Sequence, residues 1–159
     1  MKKFALLLAV AALTACTPTK QPNAATPTAQ TQNQVARNKA NVLAFYDLAF
    51  NQHKLQEAVS RYIGAEYLQH NPGVADGGQA FIDAFAPFLK EHPQSRAQIK
   101  RVIAEGDLVA VHVFSQVSPK DKGEAVVDIF RLDAQGKIVE HWDVIQSVPE
   151  KTASGRSMF

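Results

Sequence analysis

Residues 124–148 read EAVVDIFRLDAQGKIVEHWDVIQSV. Two runs rich in Val and Ile flank Asp133-Ala134-Gln135-Gly136, a cluster of turn-forming residues. The pattern predicts a β-hairpin with strands over 124–133 and 137–148. Side chains alternate between the two faces of a strand, so register decides which residues meet. If Leu132 pairs with Lys137, or Ala134 with Lys137 across a tighter turn, opposing residue numbers sum to an odd value. Asp128 and Phe130 then share a face with His141, Asp143 and Ile145, and Arg131, Glu140 and Trp142 take the other. Two carboxylates and an imidazole among Val126, Phe130 and Ile145 suit acid–base chemistry. An apolar wall and a second nearby charge both disfavour an ionised carboxylate, which makes a proton easier to hold and to pass.

Upstream, β-branched runs predict strands over 95–105 and 107–118, with turns at Glu105-Gly106-Asp107 and Ser118 to Gly123. These connections are too short for parallel crossovers, so the strands form antiparallel hairpins. Before Pro93 the period changes. Val42, Phe45, Tyr46, Ala49 and Phe50 recur at helical spacing and predict a helix over 37–51. Leu55, Ala58, Val59 and Tyr62 predict a second helix, ended by Gly64 as a left-handed stop. Ala65 to Asn71 reads as extended, closed by Pro72 and Gly73. Asp76, three residues before Gln79, has the spacing of a capping box for a third helix bearing Phe81, Ile82, Phe85, Phe88 and Leu89. Pro87 lies inside that helix and is expected to kink or break it. The sum is an α+β domain over 37–150, with N-terminal helices packed on a curved antiparallel sheet.

The chain has 159 residues, enough for this domain and an extension. Residues 37–150 hold 12 Lys+Arg against 15 Asp+Glu, which speaks against a nucleic-acid partner. Cys16 is the sole cysteine, so no internal disulfide or thiolate metal cage can form. Lys2 and Lys3 precede ten apolar residues, Phe4 to Leu13, in the manner of a secretory signal. As a helix this run reaches about 15 Å, half of a hydrocarbon core about 30 Å thick. Leu13-Thr14-Ala15-Cys16 resembles the lipobox of bacterial lipoproteins. That resemblance implies a signal peptide over 1–15, lipidation of Cys16 and, with Thr17 following, an outer-membrane location facing the periplasm. Residues 17–36 are rich in Thr, Gln, Asn and Pro and read as a disordered tether. Residues 151–159 read as a flexible tail.

Three stretches carry a second resemblance: Glu66-Tyr67-Leu68-Gln69-His70-Asn71-Pro72 with Asp76-Gly77; Arg101 to Val109; and Asp128-Ile129-Phe130-Arg131 running on to Gly136 through Asp143. The domain resembles the SnoaL-like group of the nuclear transport factor 2-like superfamily. The resemblance implies a cone-shaped fold in which a bent sheet wraps a long helix around a pocket. It also implies that Asp143 is the acid–base residue and that His70 faces the substrate. Members of this superfamily include cyclases and isomerases that work without metal, and also binding modules without catalysis.

Asp143, Asp128, His141 and His70 are the candidates for catalysis. Phe130, Leu68 and His112 are the candidates for ligand contact. For Asp143 the alternative is an ion pair at the rim, and for Asp128 a polar plug bonded to His141. His141 either orients Asp143 or serves as a structural histidine, and His70 either faces the ligand or steadies its loop. For His112 the Ser118–Gly123 loop decides: an even loop turns it away from the face of Asp128, and an odd loop or a bulge turns it inward. Trp142 is assigned to packing, and Tyr67 lacks parity support for the pocket. No metal or cofactor is expected, since no metal-ligand spacing such as HExxH is present. The expected function is acid–base catalysis on a small hydrophobic carbonyl compound. The alternative is a tethered module that binds a small ligand without turnover, or that dimerises through its open sheet face. A homodimer is the expected assembly.

Overall fold

The computed structural model describes residues 29–159. The segments expected to be a signal peptide and a tether, as far as residue 28, and the expected lipidation site Cys16 lie outside the described residues. Helix α1 spans Ala29–Tyr46 and continues into a π-helical turn, Asp47–Asn51. Helix α2 spans Leu55–Tyr62, strand β1 Ile63–Gln69 and helix α3 Gly78–Glu91. Strands β2 (Arg96–Glu105), β3 (Leu108–Gln116), β4 (Glu124–Leu132) and β5 (Ile138–Ser147) complete the domain. Three helices therefore pack on one five-stranded sheet of order β1-β5-β4-β3-β2. Among the described residues, no helix is long and apolar enough to cross a membrane.

The meander β2 to β5 is antiparallel, as expected, but β1 joins the edge of β5 in parallel, so the sheet is mixed. Helix α3 and strands β2 to β4, which lie between them, supply the long connection that a parallel pairing needs. The core lies between α1 and the inner sheet face. Val42, Phe45 and Ala49 of α1 and its π turn meet Val109, Val111, Val113 and Phe130, with Phe81 of α3 against Phe45. Fully burying side chains of this size contributes about 1.5–3 kcal/mol each.

Several local expectations need correction. Helix α1 begins at Ala29, so the last eight residues assigned to the tether, 29–36, are helical. Gly64 does not end α2 in a left-handed turn; it lies within β1. A Cβ there would stand 2.8 Å from Val139 Cγ1, so Gly64 permits the close approach of β1 to β5. Asp76 does not cap α3, whose N-cap is Gly77 at φ +96°. Instead its carboxylate accepts the Gln69 backbone N–H at 2.8 Å, and Gly77 N–H reaches Tyr67 O at 2.8 Å. These two bonds fold the 70–77 loop back onto β1. Helix α3 runs on through Pro87. Pro87 is exposed, so water can solvate the carbonyl that its missing N–H leaves without a partner. The tail is docked: Phe159 packs on Phe114 and His112, with Lys100 Nζ 5.5 Å above its ring.

Candidate active site

Between α1, α3 and the inner sheet face lies a cavity of about 370 Å³. Phe45, Phe50, Phe81, Phe85 and Phe130 make most of its walls, and its polar floor is Asp128, His141, Asp143, Gln69, Asn71, Tyr46 and Tyr67. The volume is at the lower end for small-molecule sites, which are typically apolar with a few convergent polar groups.

Register explains the floor. Asp128 pairs directly with Asp143, Phe130 with His141 and Val126 with Ile145, so these six share one face. The odd sum arises differently from either hairpin considered above. Leu132 pairs with Ile138, an even sum, and a β-bulge at Val139 then shifts β5 by one residue. Ile138 and His141 consequently both point inward, although they are three residues apart.

Asp128 and His141 are nearly withdrawn from solvent, at 5% and 7% exposure. His141 Nε2 lies 3.0 Å from Asp128 Oδ1, and Tyr46 O–H donates to Asp128 Oδ2 at 2.9 Å. His141 Nδ1 lies 2.7 Å from Gln69 Oε1, which also accepts the Asn71 backbone N–H at 3.0 Å. Asp143 is half-buried, and Asn71 Nδ2 donates to its Oδ2 at 2.6 Å. Asn71 is itself oriented, because its Oδ1 accepts the Gly73 backbone N–H at 2.8 Å. Gln69 Nε2 donates to the Tyr67 hydroxyl at 3.2 Å, which leaves the Tyr67 hydrogen free to donate. Burial holds the Tyr67 phenol well above its ordinary range, opposed by the Gln69 bond and reinforced by the charges of Asp128 and Asp143. Burial first, then the charge of Asp128 and the hydrogen bond to it, do the same for Tyr46. Both phenols are therefore neutral hydrogen-bond donors.

Ligand atoms of Asp128, His141 and Asp143 fall within 4.8 Å of one another, close enough for a cation. Both His141 nitrogens and both Asp128 oxygens already hold hydrogen bonds, however. A cation held by His141 would have to displace one of its two partners, so the donor set fits a hydrogen-bonded floor better than a metal centre.

Four of the sequence candidates meet here: Asp143, Asp128, His141 and Phe130. Three do not. Even-numbered residues at the end of β1 face outward, which places Leu68 opposite Glu140 and takes His70 out of the cavity. His70 stacks on Trp142 at 4.8 Å and bonds Glu140 Oε1 at 2.8 Å. His112 pairs with Val127, on the outer face, and bonds Arg101 at 3.0 Å. The even loop expected to turn it outward is the one that forms. Tyr46, Tyr67, Gln69 and Asn71 were missed by the sequence reading. Tyr46 reads as one more apolar residue of its helix stripe. The β1 residues depend on a parallel pairing that no hairpin rule reveals, although the alternation Tyr67, Gln69, Asn71 is itself a visible signal.

Residues 42–141 match the SnoaL-like domain family. No curated protein sequence matches the chain. Among solved structures, a protein from Bacillus cereus proposed to be a polyketide cyclase aligns with TM-score 0.62 and 20% identity, over 72% of this chain and 78% of its own. IdmH from Streptomyces antibioticus, also proposed to be a polyketide cyclase, aligns with TM-score 0.58 and 18% identity, over 69% and 91%. AclR from Streptomyces galilaeus, proposed to be a hydroxylase, aligns with TM-score 0.59 and 22% identity, over 70% and 90%. At such identities these likenesses speak for the fold.

Proposed function

The chain belongs to the SnoaL-like family, and on that premise we propose that it catalyses proton transfer on a small hydrophobic carbonyl compound, in an isomerase- or cyclase-type reaction. One observation carries the reading: Asp143 and Tyr67, whose hydroxyl hydrogen is not used in the bond from Gln69, line the same aromatic cavity. The aromatic walls bind the carbon skeleton and exclude water. Asp143, held by Asn71, takes a proton from the carbon beside the carbonyl. Tyr67 donates to the carbonyl oxygen as negative charge develops there, a role in which a fixed donor is worth more in the transition state than in the ground state. Tyr67 thus fills the place that the sequence reading gave to His70. The reaction needs no metal. Asp128 and His141 are assigned to the shape and polarity of the floor.

The test is proton exchange in deuterated water. Candidate ketones and β-dicarbonyl compounds are incubated with the protein, and loss of the α C–H signal is followed by NMR. Exchange that depends on Asp143 supports the reading. Ligands that bind in the cavity without exchange would favour the non-catalytic binding module instead.

Two further assignments complete the proposal. Cys16 carries a lipid and tethers the domain to the periplasmic side of the outer membrane. The outer sheet face, where Val127, Ile129 and Val144 are exposed, pairs with a second copy. Sedimentation of the isolated domain tests the second assignment, and a monomer at all concentrations would refute it.

A further inference from the structure

The hydrogen bonds of the floor fix more than positions. A backbone N–H can only donate, so the Asn71 N–H identifies the Gln69 side-chain atom facing it as oxygen. That same oxygen faces His141 Nδ1 at 2.7 Å and cannot donate to it. Nδ1 must therefore carry a hydrogen. The opposite ring nitrogen, Nε2, then faces Asp128 Oδ1 at 3.0 Å. A neutral ring with its hydrogen on Nδ1 would turn a lone pair toward a bare carboxylate, a repulsive contact in a site removed from water. The contact is attractive only if one more proton lies in it, on the ring or on the acid.

We infer that Gln69 is a positioning residue: it fixes the tautomer of His141 and thereby makes Asp128–His141 a pair that holds one proton and is neutral as a unit. Of the two carboxylates facing each other across β4 and β5, only Asp143 is then free to exchange a proton with a ligand. The surroundings agree. Tyr46 from α1 donates to the other Asp128 oxygen, which suits either form of the pair. Tyr67 from β1 and Asp143 from β5 are the other titratable groups at this end of the cavity, and α3 contributes only Phe81, Ala84, Phe85 and Phe88 to the lining. The Phe130 ring covers His141 at 4.9 Å between centroids. Asp143 thus brings its charge beside a neutral pair and not beside a second bare carboxylate.

The experiment needs no substrate, so its outcome is separate from that of the proposed reaction. The protein is labelled with ¹⁵N-histidine, and His141 is identified by the signals lost in His141→Gln. The expected spectrum at neutral pH has a hydrogen on Nδ1, with Nε2 either protonated as well or accepting from a protonated Asp128. The ¹³C carboxyl signal of Asp128 separates these two forms. A bare Nδ1 with hydrogen on Nε2 alone would overturn the inference. So would a bare Nε2 opposite an ionised Asp128. Gln69→Glu keeps an acceptor oxygen and should keep the Nδ1 hydrogen. Gln69→Leu removes the acceptor and should release the ring into mixed tautomers. An unchanged His141 spectrum in a folded Gln69→Leu would remove Gln69 from the role. If Gln69→Leu does not fold, Gln69→Glu and the wild-type spectrum still decide.

Discussion

Asp128 and Asp143 face each other across β4 and β5 on the inner face of the sheet, yet they are served by different partners. Asp128 is bonded to Tyr46 on one oxygen and to His141 on the other. Asp143 receives the Asn71 amide on one oxygen, at the more open end of the floor. One strand pairing thus sets a buried carboxylate bonded on both oxygens beside a half-buried one bonded on a single oxygen, and the second has the freedom that a proton carrier needs.

Replacing Asp143 by Asn should therefore leave the fold in place and remove turnover. The amide oxygen can still accept from Asn71 but cannot take a proton. The exchange rate should fall by about 10²–10⁴-fold, while ligand affinity changes far less. Steady-state kinetics with a thermal melt check this. A large drop in melting temperature without selective loss of turnover would make Asp143 a structural residue.

Tyr67→Phe keeps the ring contact with Phe81 and deletes the hydroxyl. Loss of a donor aimed at developing charge typically costs about 10²–10³-fold in kcat. Gln69 also loses an acceptor, so a stability loss of about 1 kcal/mol is expected. Wild-type kcat in the variant would show that the carbonyl oxygen lies elsewhere.

Gly64→Ala tests the packing of β1 on β5. The added methyl meets Val139 Cγ1 and stands 3.2 Å from the Glu66 carbonyl oxygen. Overpacking of this kind costs about 1–3 kcal/mol, to be read from urea unfolding. A neutral or stabilising outcome would mean that β1 can move outward without loss.

Glu140 gives a pH signature. Its hydrogen bonds to His70 and Arg131 hold the carboxyl below its ordinary range. A lowered folded-state value means that the stabilisation is complete above the unfolded-state value and is lost as pH falls through the folded-state one. Unfolding midpoints measured from neutral pH downward should show this decline, and Glu140→Gln should reduce it. Parallel curves for the two proteins would remove Glu140 from the acid sensitivity.

Cys16→Ser should move the protein from the membrane fraction of its cells to the soluble one. An unchanged membrane fraction would remove the lipid anchor from the proposal.

What the sequence disclosed follows from the range of the interactions involved. The four strands of the meander and the three helix stripes were legible because adjacent segments encode them through period and turn residues. The shared face of Asp128, Phe130, His141 and Asp143 was also read correctly, but through a hairpin register that does not occur. The true turn gives the opposite parity, and the Val139 bulge reverses it. His70, Leu68 and Tyr67 were misplaced together, because all three depend on how β1 lies against a strand about 70 residues later. Pro87 does not break α3, because a proline on an exposed helix face leaves a carbonyl that water can satisfy.

The bulge at Val139 makes β5 a strand of two frames. Its first residue keeps step with the turn, and everything from Glu140 onward keeps step with the cavity. The extra residue is slack between them. A turn that loses one residue could recover the same facing by drawing the bulge flat, and His141 and Asp143 would not notice the change. The chain can thus vary the length of its last hairpin by one residue while its chemistry stays in register.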